Sequence, residues 1–273
     1  MDNHNQILKK FNDDGFYIAK NVVKENEIAN ILENVCKVYL KKNPSSKFLK
    51  EKKPLNNDLF HEEIIKFRDE NSNEFSEMYD SCCSSIPVIQ LVTDKRISEI
   101  AAILLRCKHT ELSQFGNMVR MDTPNDVRNK TAWHQEMQFT RNPGLVLWIP
   151  LVEITDDIGP LHVLEKSHLD GEIIIERNES RDYTTSRVSK CEIPEKVLEK
   201  YDEKVIEVNK GDALFLDTKL IHSSGDNISK RIRLTCQLRI LNSVSNEFAA
   251  FRPDITYNPY SMKKLGRKLP LHI

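Results

Sequence analysis

A chain of 273 residues that is 39% hydrophobic and 30% charged can bury a core under a well-solvated surface, and its length allows one or two domains. Its 40 basic and 41 acidic side chains leave a net charge of −1, so there is no overall basic footprint for nucleic acid. Only 8 glycines occur where average usage would give about 19, and none is spaced as G-x-G or set in a G-K-S/T loop, which argues against both a dinucleotide fold and a P-loop NTPase.

No apolar run approaches the roughly 18 residues of a membrane span. The first residues, MDNHNQILKKFNDDG, lack the apolar stretch of a secretory signal, and KLPLHI at the end is no lipidation or peroxisomal motif. The six cysteines form no C-x-x-C, so reduced thiols in a cytoplasmic protein are expected rather than structural zinc.

Residues 1 to about 110 read as mostly helical. Phe16 to Ala19 follows the Asp14-Gly15 turn as a short strand. Asn26 to Leu40 carries Ile28, Ile31, Leu32, Val35, Val38 and Tyr39 at helical spacing. Asn43 to Ser46 is turn chemistry, and two more helices are predicted over 60–85 and 95–107. From about 112 the grain changes to strands: 145–151 (LVLWIPL), 172–175, 204–208 and 213–216. Residues 231–240 alternate cleanly, with Ile232, Leu234, Cys236, Leu238 and Ile240 on one face and Arg231, Arg233, Thr235, Gln237 and Arg239 on the other. A strand of that kind suits a sheet wrapped round a wet site. The charged stretch 176–203 reads as a long loop or lid, and 243–273 as an irregular tail.

Two segments carry the chemistry. In Thr131-Ala-Trp-His-Gln-Glu, a strand would send His134 and Glu136 to the same face. His222 follows a predicted buried strand and completes two imidazoles and one carboxylate, a facial set suited to non-haem Fe(II) with open positions. A bare H-x-E is weak by itself. Arg233, eleven residues after His222, adds weight as a bidentate partner for a carboxylate, with Arg231 its nearest competitor. His162 and His168 read as structural, Asn227 as the organiser of the turn after His222, and His4, His61, His109 and His272 as surface residues.

The chain resembles the phytanoyl-CoA dioxygenase-like family of Fe(II)/2-oxoglutarate-dependent oxygenases. The carrying segments are FNDDGF near the start, WHQE at 133–136, LWIPL at 147–151, GPLHVLEKSHLDG at 159–171, KGDALFLD at 210–217 and HSSGDNISKRIR at 222–233. The resemblance implies a mainly β fold, a double-stranded β-helix or jelly-roll barrel with flanking helices. It also implies a single domain over 1–273, with a helical part to about 110, a barrel core over about 111–242 and a tail. His134, Glu136 and His222 would hold the iron. Arg233 would bind the distal carboxylate of 2-oxoglutarate, with Gln114, Thr131 and Trp148 around the same cosubstrate. The expected activity is O2-dependent hydroxylation of a small, polar molecule, with no nucleic-acid or membrane partner. The alternative is a metal-binding, cupin-like barrel without oxygenase activity, either an isomerase or a binding protein. One departure is chemical: the family usually has Asp where this chain has Glu136, one methylene longer. A carboxylate at this position argues against the halogenase variant.

Overall fold

The computed structural model describes residues 3–47, 57–126, 132–174 and 193–248. The N-terminal part is a set of helices: α1 (His4–Asp14), α2 (Glu25–Lys42), α3 (Asp58–Glu70), α4 (Ser72–Cys83), α5 (Ile86–Val92) and α6 (Lys95–Leu104), with strand β1 (Phe16–Ala19) after α1. The predicted helix over 60–85 is broken at Asn71, which ends α3 by donating its amide to Phe67 O and opens α4. A short α5 stands apart from α6, with Thr93 and Asp94 between them.

The remaining elements are β2 (Leu112–Asp122), α7 (Met137–Thr140), β3 (Gly144–Pro150), β4 (Leu161–Leu164), α8 (Glu195–Leu198), β5 (Glu203–Ile206), β6 (Ala213–Asp217), β7 (His222–Ser224) and β8 (Arg233–Asn242). They form two antiparallel sheets, ordered β1-β6-β3-β8-β2 and β5-β4-β7. This is the double-stranded β-helix architecture with flanking helices. Residues 172–174, predicted as part of a strand, are irregular. Residues 176–192 of the predicted loop or lid, and 249–273 of the tail, lie outside the described residues.

Alternation sorts the two faces of the large sheet. Leu145, Leu147, Ile149, Phe215, Leu234, Cys236 and Leu238 point outward and pack with the helices in one core. Phe16, Val146, Trp148, Leu214 and Leu216 point inward and meet Leu161, Val163 and Ile206 of the small sheet. At about 25 cal/mol per Å² of buried apolar surface, these two cores supply the main drive for closing the sheets and sealing the helices over them. Arg233, Thr235, Gln237 and Arg239 share the inward face, so the sheets enclose a partly polar interior. No helix among the described residues is long and apolar enough to cross a membrane.

His61 corrects an expectation. It is only 1% exposed, and its Nδ1 accepts the Ile232 amide at 3.1 Å. It lies on the stripe Phe60, His61, Ile64, Phe67 by which α3 faces inward. Burial, helped by the nearby Arg231 charge, pushes its pKa down to about 4. The unfolded chain takes up this proton near the ordinary value of 6.5, so the stabilisation is complete above that pH and is lost as pH falls toward 4. The loss reaches about 3 kcal/mol. Urea titrations of metal-free protein at pH 7 and pH 4.5 are expected to show a smaller drop for His61→Gln than for the wild type; equal drops would contradict this.

Candidate metal centre

The H-x-E segment is not a strand. His134 makes a single bridge to His222, through His134 N to His222 O at 3.1 Å and His222 N to His134 O at 3.0 Å. The chain then turns, and Glu136 stands in right-handed helical conformation at the start of α7. Gln135 between them is fully buried and clamps the segment. Its Nε2 donates to Gly171 O at 2.9 Å and Lys219 O at 2.6 Å, and its Oε1 accepts the Ile173 amide at 2.8 Å. The Met137 amide adds a bond to Thr218 O at 2.8 Å. His222 is set by β7, which pairs with β4, and by Ser167 Oγ, which accepts the Ile221 amide at 2.9 Å.

The three side chains converge. One ligand atom from each of His134, Glu136 and His222 lies within 4.8 Å of the others, and all three residues are buried. Glu136 Oε2 is 3.6 Å from His134 Nε2 and 3.9 Å from His222 Nε2. Both imidazoles are oriented from behind. His134 Nδ1 meets Ala132 O at 2.8 Å, and His222 Nδ1 meets Leu220 O at 2.9 Å. A carbonyl oxygen only accepts, so each Nδ1 carries the hydrogen and each Nε2 keeps its lone pair for a metal. Burial, with the neighbouring His134, lowers the His222 pKa to about 3, so this ring is neutral and ligand-ready at physiological pH. Burial works against ionisation of Glu136, but the Arg239 guanidinium outweighs it and holds the carboxyl well below the usual range. The result is two nitrogen donors and one carboxylate oxygen on one side of a point, which is the donor set of a facial divalent-metal site. No other such cluster occurs among the described residues.

Arg233 lies on the inward face of β8 and is buried. Its Nε and Nη2 donate to Asp122 Oδ2 at 3.1 and 2.9 Å, while Nη1 reaches Gly159 O and, at 3.3 Å, Gly225 O. Gly225 is three residues from His222, at most about 11 Å of chain, so this guanidinium lies a short span from the His-Glu-His cluster. Glycine is required at this crossing. A Cβ on Gly159 would stand 2.5 Å from Gly225 O, and Gly159 has a positive φ of 88°. Asp122 also takes Arg120 on its other oxygen, with Nη2 at 3.0 Å. Burial opposes ionisation of Asp122, but the two guanidinia prevail and lower its pKa. Among the described residues, Arg120 and Arg233 pair with Asp122, and Arg239 pairs with Glu136.

Trp148 is buried on the same inward face, paired with Gln237. Gln114 is not brought to the site. It pairs with Ile240 on the helix-covered face and is exposed. The cause is a bulge between Phe115 and Met118, which shifts the register by one residue and turns Gln114 outward. Thr131 lies outside the described residues. His162 and His168 serve separate ends: His162 pairs with Glu203, and His168 Nε2 meets Asn12 O at 3.0 Å where α1 ends. Asn227 organises its turn as expected, donating to Asp122 O and Arg231 O and accepting from Ser229. Sequence reasoning assigned no role to Gln135, Asp122, Arg120 or Arg239.

The fold and the His-Glu-His cluster coincide with a family match over residues 11–235. The chain belongs to the phytanoyl-CoA dioxygenase (PhyH) family. Solved structures share the fold of this PhyH chain at low identity. One is the epimerase SnoN in complex with Fe3+, alpha ketoglutarate and nogalamycin RO: 17% identity, 92% of this chain and 86% of that one, TM-score 0.62. EctD from S. alaskensis, in its apoform, has 18% identity, covers 90% and 80%, and has a TM-score of 0.55. EvdO2 from Micromonospora carbonacea var. aurantiaca, complexed with 2-oxoglutarate, has 18% identity, covers 93% and 96%, and has a TM-score of 0.52. No curated protein sequence matches the chain significantly.

Proposed function

We propose that this PhyH-family protein is an Fe(II)- and 2-oxoglutarate-dependent dioxygenase that hydroxylates a small polar metabolite. The observation that carries the reading is the buried His134–Glu136–His222 cluster with both Nε2 atoms and Oε2 facing one another. Iron held by these three residues would supply O2 activation coupled to oxidative decarboxylation of 2-oxoglutarate to succinate and CO2.

The chain's own residues do the rest. Carbonyls of Ala132 and Leu220 fix the imidazole tautomers, and Gln135 locks the loop that bears two of the ligands. A divalent metal beside the buried guanidinia of Arg233 and Arg239 would favour a dianionic cosubstrate. Arg233 anchors the distal carboxylate of 2-oxoglutarate through its positive charge and the one Nη2 hydrogen that Asp122, Gly159 O and Gly225 O leave available, and Trp148 walls the same space. The apolar inner faces of both sheets exclude water around the cosubstrate.

The structurally similar SnoN is an epimerase, so the product is the informative readout. Fe(II)-loaded protein supplied with 2-oxoglutarate, O2 and a panel of polar metabolites is expected to release succinate with one substrate and to add one oxygen atom to it. An isomer of unchanged mass would replace hydroxylation by epimerisation. No succinate with any member, together with no binding of 2-oxoglutarate, would favour a metal-binding barrel without oxygenase activity.

A further inference from the structure

Glu136 offers two oxygens, and they face different partners. Oε2 faces the two imidazoles, while Oε1 accepts from Arg239 Nε at 2.8 Å and lies 2.6 Å from Arg239 Nη2. The Arg239 side chain is itself largely buried, and its Nη1 reaches Gly116 O at 3.4 Å. Gly116 lies in the β2 bulge with a φ of 67°, a conformation that suits glycine. The bulge therefore delivers a backbone acceptor to the far edge of the guanidinium. Arg239 is held between a fixed carbonyl and one carboxylate oxygen, with both Nε and Nη2 committed to that oxygen.

We propose that Arg239 is a positioning residue that takes Oε1 of Glu136 out of play and commits Oε2 alone to the metal. The inference rests on the iron site proposed above. A glutamate has one more rotatable bond than an aspartate and can chelate a metal through both oxygens, which would consume a position needed for cosubstrate or O2. The Arg239 fork removes both freedoms: it fixes the side-chain torsions and occupies the second oxygen. The extra methylene of Glu136 lets one carboxylate span from the guanidinium to the imidazole pair.

The test is the Fe(II) affinity of the metal-free protein, measured anaerobically against a competing chelator, with melting temperature as the fold control. Arg239→Ala is expected to weaken Fe(II) binding by about 10- to 100-fold, the usual effect of removing a partner that orients a metal ligand. Arg239→Lys, which keeps the charge and one donor, is expected to restore part of it. Glu136→Asp cannot span both partners, so Arg239→Ala on that background is expected to add less than about threefold, because residues that act as one unit are non-additive. If Arg239→Ala does not fold, Arg239→Lys and Arg239→Gln carry the same cycle. Unchanged or tighter Fe(II) binding in a folded Arg239 variant, or full additivity with Glu136→Asp, overturns the inference. Failure of the wild type to bind Fe(II) overturns the proposed iron site instead.

Discussion

Alanine at His222 or at His134 is expected to reduce bound iron from about one per chain to near zero and to remove 2-oxoglutarate turnover. The loss exceeds the roughly 10- to 100-fold typical of outer partners, because a donor atom itself is deleted from a set of three. The fold is expected to survive. The two residues join their chain segments through main-chain bonds, N to O in both directions, and alanine keeps both. The neutral His222 ring also makes no strong ion pair in the metal-free protein, since its nearest carboxylate oxygen is 3.9 Å away and burial suppresses its charge. Metal analysis of the purified variants, with circular dichroism as the control, checks this. Iron retained at wild-type level in both variants would mean that the centre lies elsewhere.

Arg233→Gln is expected to raise the KM for 2-oxoglutarate by about 100-fold while leaving iron content unchanged. Charge-assisted hydrogen bonds to a carboxylate are worth about 1.5–3 kcal/mol, and this guanidinium is buried where screening is weak. Asp122 keeps Arg120 as its partner, so the substitution does not orphan the aspartate. The Asp122 carboxylate holds Nε and Nη2 while the Gly159 and Gly225 carbonyls hold Nη1, which fixes the guanidinium in place and leaves one Nη2 hydrogen for a ligand. Steady-state kinetics against 2-oxoglutarate decide the matter. An unchanged KM with a lowered kcat would reassign Arg233 to a structural role.

Much of this was legible in the residues. The alternation over 231–240 gave both faces of β8, and the inward face became the wall of the site. His134, Glu136 and His222 were legible from residue type and family segments. The local reason for their meeting was not: they converge through one bridge and a helical turn at Glu136, whereas strand alternation would have required an extended segment. Arg239 stood in plain view on the polar face, but its partner is 103 residues away, and short-range spacing carries no sign of such a pair. Asp122 is hidden in the same way, 111 residues from Arg233. Gln114 was misplaced because one bulge inverts the inward parity of β2: Met118, Arg120 and Asp122 face in, and above the bulge Phe115 pairs with Arg239. His61 was missed because a histidine among charged neighbours reads as surface, although it sits at helical spacing from Ile64.

The most direct test of the account is anaerobic titration of the Fe(II)-loaded protein with 2-oxoglutarate, followed by visible absorption. The account predicts a weak metal-to-ligand charge-transfer band that saturates at one equivalent per chain, is absent in His222→Ala and needs far more 2-oxoglutarate in Arg233→Gln. An iron-loaded wild-type protein that develops no band and binds no 2-oxoglutarate would contradict it.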